Sequence, residues 1–548
     1  MKQTIRNTML ALVFAGCGMA VAGEESKTVF IENGRPLSVI EDRVETVECR
    51  PGRWTRGEGH LESRDDANVI FGNKIVGPGD FEVSARVALA DPQNDVAYLH
   101  IPEAIWKLDF NREGKIVLQG RLTSKISKPL AETSDFIEPG KCFDVKITRS
   151  SRNLKIFIND KELCSLGKVT RDSLGLVGLI VESGKLRISD FRAAGALVDV
   201  PSDKEIFSTT AFMGFKKNSD GSYVDDCKRF RIPALIVAPN KDLLAICEAR
   251  HEGGDHGNID LFMKRSKDGG KTWSRPESIY EEGGDKLITT GNPCPVVDED
   301  TGTIWLPLCR DNRTVLMTHS KDSGKTWAKP TEIGISASKY KWRWAATGPG
   351  VGIQMKRGKY KGRLVIPLNH MPATVFYSDD HGKSWTLGGD LKGTADESQV
   401  VELVDGRLLM ESRKSRGSVR WSVSDDGGDC WENHEPDKTI PAPLCQASLL
   451  HYSTAEDEGK NRILFCNPHH DAWRVNLAVQ VSYDEGESWP VKKVIDPGSA
   501  QYSCMAVLPD GDIGVLYEDA LKSRLTFVRF SLDWLEQPDS LPRDSAEQ

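Results

Sequence analysis

One eight-residue pattern, Ser-x-Asp-x-Gly-x-x-Trp, occurs five times in this chain of 548 residues, and it limits the fold more than any other feature. The copies run Ser266–Trp273, Ser320–Trp327, Ser378–Trp385, Ser424–Trp431 and Ser482–Trp489, with starts 54, 58, 46 and 58 residues apart. A repeat of roughly 50 residues is the length of a four-stranded propeller blade. The chemistry inside each copy is turn chemistry. Ser and Asp side chains bond to nearby backbone, Gly takes positive φ, and Trp packs on the hairpin it closes. Five aspartates repeated once per blade do the same local work, so they are read as structural. Residues 205–540 have room for six blades, one of them without the motif.

The stretch before this array has no repeat. Phe81–Val87 and Phe143–Ile147 alternate apolar and polar residues, and 153–163 reads as a hairpin turning at Asn159-Asp160. Residues 28–198 are therefore expected to form an antiparallel β-sandwich, joined by a linker at 199–204. The fold class expected overall is all-β: a six-bladed β-propeller preceded by this sandwich domain.

The extreme N-terminus reads as a targeting segment. Lys2 and Arg6 precede the apolar run Met9–Ala22, which ends in the small-x-small triplet Ala20-Val21-Ala22. Residues 1–22 are expected to be a signal peptide and the protein to be exported. Ala15-Gly16-Cys17 offers a rival reading as a lipoprotein acylation site. No other stretch has the ~18 apolar residues that span a bilayer. The formal charge of −8 argues against a nucleic-acid partner, which a basic surface would attract. No Cys-x-x-Cys spacing supports a zinc site, and most cysteines lie in strand-like apolar runs as small core side chains.

The five boxes, joined to Phe230-Arg231-Ile232-Pro233, resemble the bacterial exo-α-sialidases of the six-bladed propeller class. The resemblance covers essentially residues 205–535, and such enzymes often carry lectin-like modules of the kind expected at 28–198. It implies a sialic acid substrate, whose anomeric carbon bears a carboxylate. Arginine is the residue whose planar fork matches that group. The resemblance carries three arginines onto Arg231, onto Arg413 in Leu408-Leu409-Met410-Glu411-Ser412-Arg413, and onto Arg474 in Trp473-Arg474-Val475-Asn476-Leu477.

It also carries the reacting groups. An anionic nucleophile would meet the substrate's own negative charge, whereas a neutral phenol with a neighbouring base avoids that repulsion. Tyr502 in Gln501-Tyr502-Ser503-Cys504 matches the nucleophile, and Glu397 in Asp396-Glu397-Ser398-Gln399 matches its base. Asp255, on the Gly-rich segment His251–Asn258, matches the general acid, with Glu252 and Asp260 as nearby competitors. Asp255 would need a raised pKa to hold its proton, which closure of a lid or bound substrate could provide. Arg250 resembles a second pocket arginine near the sugar's O4, and Glu518 a carboxylate that braces Arg231. Asn292 departs from the Asp-Pro the family often shows there.

The resemblance thus implies retaining hydrolysis of terminal sialic acid on glycans, glycoproteins or glycolipids, with no cofactor or metal in the chemistry. A non-catalytic sialoglycan-binding propeller stands as the alternative from another class. A trans-sialidase, including the intramolecular kind, would share every catalytic residue. His469-His470-Asp471 is read as rim rather than metal site, because adjacent side chains on a strand point opposite ways. Trp342 and Trp344 are open between an aglycone platform and core.

Overall fold

The computed structural model describes the chain from residue 27 to residue 537, leaving aside 33–34, 37–53, 57, 64–67, 92–94, 101–105, 113, 121–128, 151–152, 168–174, 200–205, 214–226, 228, 252–253, 285, 394, 416–417, 435–438, 471–473 and 520–523. The expected signal peptide, Cys49, Glu252, Asp471 and most of the expected linker lie outside the described residues. The strand Leu186–Asp199 takes in the first residue assigned to that linker.

The N-terminal domain folds around one long strand, Asn68–Leu89. Its first part pairs with Gly175–Ser183 and its second with Phe143–Ser150, while Leu186–Asp199 runs along its other edge. Between the two parts lie Gly77, Pro78, Gly79 and Asp80, where the pairing with Leu186–Asp199 slips. At this slip Gly195 has φ 114°, and a Cβ there would lie 2.3 Å from the Asp80 carbonyl oxygen, so only glycine fits. Strands from both parts fill a single core, with Phe81, Val83 and Val87 from one and Leu99, Leu108 and Leu179 from the other. Strand Phe143–Ser150 alternates inward and outward side chains as its sequence predicts. Asn159 and Asp160 both take positive φ, at 48° and 61°, as a tight two-residue hairpin turn requires.

Six antiparallel blades follow. Four are separate sheets, beginning at Arg229–Val237, Thr290–Gly291, Ala346–Thr347 and Ser398–Glu402. The last two share strand Val491–Val507, whose first part is the outer strand of the fifth blade and whose second part is the inner strand of the sixth. Phe207–Met213 then pairs with Arg524–Phe530, so the start of the propeller supplies the outer strand of its last blade and closes the ring.

That closure explains why six blades carry five boxes. Each box sits on the turn between the third and fourth strands of a blade. In the sixth blade the fourth strand comes from residues 207–213, so no turn joins it to the third. Each box is wired alike. In the first, Ser266 Oγ donates to Asp268 Oδ1 at 2.8 Å and accepts from Gly270 N at 2.8 Å. Asp268 also accepts from Thr272 N at 2.9 Å and Thr272 Oγ1 at 2.6 Å. Burial raises the Asp268 carboxyl, but these bonds outweigh it and hold the group down at about 2. The tryptophans reach further than the hairpin they close. Trp273 packs edge-on against Phe527 of the sixth blade, and Trp489 stacks at 5.4 Å on Trp421 of the fourth. They tie each blade to its neighbour as well as to itself.

Ten cysteines among the described residues are free, and seven of them are buried as core side chains. Cys142 and Cys430 are exposed. No helix of the described residues is long and apolar enough to cross a membrane.

Candidate active site

Alternation of strand direction sends the start of each inner strand and the end of each second strand to the same rim of the propeller. Arg231, Glu397 and Tyr502 lie at or just before inner-strand starts, while Arg250, Arg413 and Glu518 lie at second-strand ends. Arg474 directly precedes the third strand of the fifth blade, Val475–Ser482. All eight residues named from the sequence, Asp255 included, are thereby gathered at one rim.

Arg231 is aimed by a bulge. The pairing of Arg229–Val237 with Leu243–Arg250 slips between Arg231 and Ala234, and Ile232 takes φ 57°. That value is costly for a β-branched residue. Glu518 holds it in place. Its Oε1 accepts from Ile232 N at 2.9 Å and from Arg231 Nε at 3.1 Å, and its Oε2 accepts from Arg231 Nη2 at 3.0 Å. Both partners are buried, with Arg231 8% and Glu518 3% exposed. The expected bracing role of Glu518 matches this contact, and the same carboxylate also fixes the bulge.

Arg250 has a brace that sequence reading missed. Glu248 Oε2 accepts from Arg250 Nε at 2.7 Å, and Glu248 Oε1 accepts from Asn292 N at 2.8 Å. The signal was present, because residues two apart on a strand share a face. Asn292 itself sits at φ 53°, a value asparagine tolerates, and donates to Asn312 Oδ1 at 2.6 Å.

The Tyr502 hydroxyl donates to Glu397, 2.5 Å from Oε1 and 2.7 Å from Oε2. Arg413 Nη1 donates to the Tyr502 oxygen at 2.8 Å and also to Glu397. Arg413 Nε has no hydrogen-bond partner. Burial pushes the Tyr502 phenol well above its ordinary range, and Glu397 adds to this against the pull of Arg413, Arg231 and Arg474. Burial also raises Glu397, with Arg413 pulling it back. The guanidinium carbons of Arg231 and Arg474 stand 5.0 and 5.4 Å from the Tyr502 ring centre. Arg474 donates to Leu444 O at 2.8 Å and Gln501 Oε1 at 3.2 Å. Three cations therefore surround one phenol that is already bonded to a carboxylate.

Asp255 lies at the edge of this cluster. Its side chain is 75% exposed and pairs with Arg250 and, at 3.3 Å, with Arg231. Burial would raise its carboxyl, but the two arginines outweigh that and hold it below the ordinary value. Beside these two arginines it is a carboxylate rather than an acid. Asp260, its competitor, is buried against His251 Nε2 at 2.9 Å and so has a fixed structural contact.

The remaining sequence features fall outside this cluster or at its edge. Lys492 Nζ lies 3.1 Å from His469 Nε2, and burial, then Lys492, hold that imidazole down at about 3. A lysine at the ring nitrogen disfavours a metal there. Asp298, Asp300 and His381 form a second cluster, but Gln354 Nε2 already donates to both carboxylates, at 3.1 and 2.9 Å. Trp342 stacks between Tyr340 and His370, at 4.6 and 3.8 Å, whereas Trp344 meets His256 of the Asp255 segment edge-on at 6.2 Å.

The fold and the rim together define an all-β propeller protein with arginines gathered around a tyrosine–glutamate pair. The family model described as BNR repeat-like domain matches residues 241–515. A sialidase of Micromonospora viridifaciens is 34% identical over 338 residues, covering 56% of this chain and 52% of that protein. A sialidase of Bacteroides fragilis is 29% identical over 376 residues, covering 62% and 67%. The chain thus spans about half the length of the Micromonospora relative. Among solved structures, a Hadza microbial sialidase matches 84% of this chain and 96% of its own at 21% identity and a TM-score of 0.53. A leech intramolecular trans-sialidase matches 84% and 95% at 18% identity, also with a TM-score of 0.53. This chain belongs to the sialidase family with BNR (Asp-box) repeats.

Proposed function

We propose that the protein is a retaining exo-α-sialidase that removes terminal sialic acid from glycoconjugates through a covalent bond to Tyr502. The observation that carries this reading is the Tyr502 hydroxyl within 2.7 Å of both Glu397 oxygens, beside three arginines. A binding propeller needs the arginines but has no use for a base on the phenol.

The substrate carboxylate takes Arg231, Arg413 and Arg474. Tyr502 Oη attacks the anomeric carbon while its proton passes to Glu397. The bond from that carbon to the aglycone oxygen breaks, and the oxygen takes a proton from Asp255. Water then attacks the same carbon with Asp255 as base, the bond to Tyr502 breaks, and Glu397 returns the phenol proton. Asp255 starts as a carboxylate because Arg231 and Arg250 hold it so. A substrate carboxylate arriving on Arg231 neutralises part of that field and raises the proton affinity of Asp255. The acid is thus armed by the ligand it acts on.

NMR of the first sugar released from sialyllactose tests the outcome. The α-anomer of free sialic acid is expected. The β-anomer would refute retention, and an anhydro sugar would assign the intramolecular transfer reaction instead. Unchanged sialosides across substrates of every linkage would favour the binding propeller.

The role of Asp255 is tested through the leaving group. A sugar alkoxide departs poorly without a proton, whereas a nitrophenolate departs readily. Asp255→Ala is expected to slow sialyllactose cleavage by roughly 10²–10⁴-fold, the usual range for a general acid. Aryl release from a nitrophenyl sialoside in the pre-steady-state burst should change far less. Equal losses on both substrates would move the acid elsewhere, with Glu252 next in line.

A further inference from the structure

A second glutamate lies beside the tyrosine–glutamate pair and takes no part in the chemistry above. Glu411 is 3% exposed, and its Oε2 has no hydrogen-bond partner. It sits on the second strand of the fourth blade, Leu408–Ser415, in direct register with Gln399 on the inner strand Ser398–Glu402. Gln399 is fully buried, and its Oε1 is also without a partner.

The orientation of that amide is set by its other end. Gln399 Nε2 donates to Pro349 O at 2.9 Å and lies 3.2 Å from Ser398 O and 3.4 Å from Val351 O. Turning the amide over would face an oxygen against three carbonyl oxygens. Its free end is therefore an acceptor. Directly paired residues on antiparallel strands project from the same face, so the unpartnered Glu411 carboxyl and the unpartnered Gln399 amide oxygen belong to one face of the blade on neighbouring strands. Two acceptors side by side in a buried site leave both unsatisfied, unless one of them carries a proton.

Arg413 N donates to Glu397 O at 2.9 Å, which puts Glu397 opposite Arg413, two residues along from the Gln399–Glu411 pair. Glu397 and Arg413 thus occupy the same face, diagonal and adjacent to Glu411. They are the charged groups that bear on it, and its neighbour on the third strand is Trp421.

We propose that Glu411 is a positioning residue held as the neutral acid, its proton donated to Gln399 Oε1, so that the arginine clamp and the Tyr502–Glu397 pair are not faced by another buried carboxylate. Burial, then the charge of Glu397, push the Glu411 carboxyl up to about 8, against the pull of Arg413. Ionisation at higher pH would put a further anion beside Arg413, where it competes with an anionic substrate for the guanidinium. This kinetic consequence rests on the proposed sialidase reaction, whereas the protonation state does not.

Two measurements on the full chain need no turnover. Infrared spectra of protein labelled with ¹³C-glutamate should show a protonated glutamate carboxyl at pH 6 that is lost as pH rises through about 8. Glu411→Gln should lack it, and Glu397→Gln should keep it. The stability linkage has a definite sign. Below the ordinary glutamate range both states hold the proton. Above it the unfolded chain releases the proton while the native protein keeps it, so wild-type stability falls as pH rises towards about 8. Glu411→Gln lacks this loss, and its Tm relative to wild type should climb by several degrees between pH 5 and pH 8. In turnover assays wild-type KM for a sialoside should rise several-fold above pH 8, and Glu411→Gln should flatten that rise. No protonated carboxyl at pH 6, or its loss in Glu397→Gln, would overturn the proposal even if Glu411→Gln fails to fold. A correct infrared and Tm result with no sialoside turnover would instead count against the proposed reaction alone.

Discussion

Tyr502→Phe is expected to lower kcat on an aryl sialoside by roughly three orders of magnitude or more, the scale on which losing a nucleophile costs an enzyme. KM should change little, because the substrate carboxylate is anchored by Arg231, Arg413 and Arg474 rather than by the phenol. The substitution removes the oxygen bonded to both Glu397 oxygens and to Arg413 Nη1. Glu397 remains paired with Arg413, so the site keeps its ion pair and the fold should hold. Glu397→Gln should cost a similar amount, and the double variant little more than either, since base and nucleophile act in one step. Near-normal turnover by Tyr502→Phe would remove the phenol from the mechanism. Additive losses in the double variant would separate the two residues into independent roles.

The second large effect is expected at Glu518, which touches no reacting atom. Glu518→Ala removes the acceptor of three hydrogen bonds from Arg231 and one from Ile232 N. It leaves the buried guanidinium with only the exposed Asp255 as a partner, and removing one half of a buried pair costs about 3–5 kcal/mol. It also unpins the bulge, in which Ile232 is held at positive φ. Tm should therefore fall markedly, and kcat/KM with it, chiefly through KM as Arg231 loses its aim. Glu518→Gln keeps an acceptor for Ile232 N and should recover much of the stability but less of the substrate affinity. Thermal melts and steady-state kinetics on the same preparations read both. If Glu518→Ala left KM within two-fold of wild type, Arg231 would not depend on this carboxylate for its position.

The candidate site was legible to unequal degrees. Arg231, Glu397, Arg413, Arg474 and Tyr502 could be placed because each lies in a short motif beside a strand, and resemblance operates on motifs. Glu248 and Glu411 were given no role by the motifs they lie in or beside. Their importance comes from what lies across a strand, Asn292 N for one and Gln399 for the other. Asp255 could be named from its Gly-rich segment, but its electrostatic setting could not be read there. Its carboxyl answers to Arg250 and Arg231, five and 24 residues away in the chain, and only their convergence shows that the group is held ionised.

Local chemistry alone determined the blades. Ser, Asp and Gly at fixed spacing can close only one kind of turn, and their bonds span no more than four residues, so sequence order is enough to write them. The same holds for the Asn159-Asp160 hairpin and the alternating strands of the first domain. Tertiary structure decided whatever depends on distant partners: the closure of the ring by Phe207–Met213 on Arg524–Phe530, and with it the sixth blade that needs no box. It also decided that Trp273 serves the sixth blade as much as its own, and that Glu518 steadies an arginine 287 residues earlier. The physical reason is the same in each case. A turn is settled by backbone geometry and hydrogen bonds within reach of a few residues, whereas a charge or a ring acquires its role from the low-dielectric neighbourhood that only the folded chain assembles.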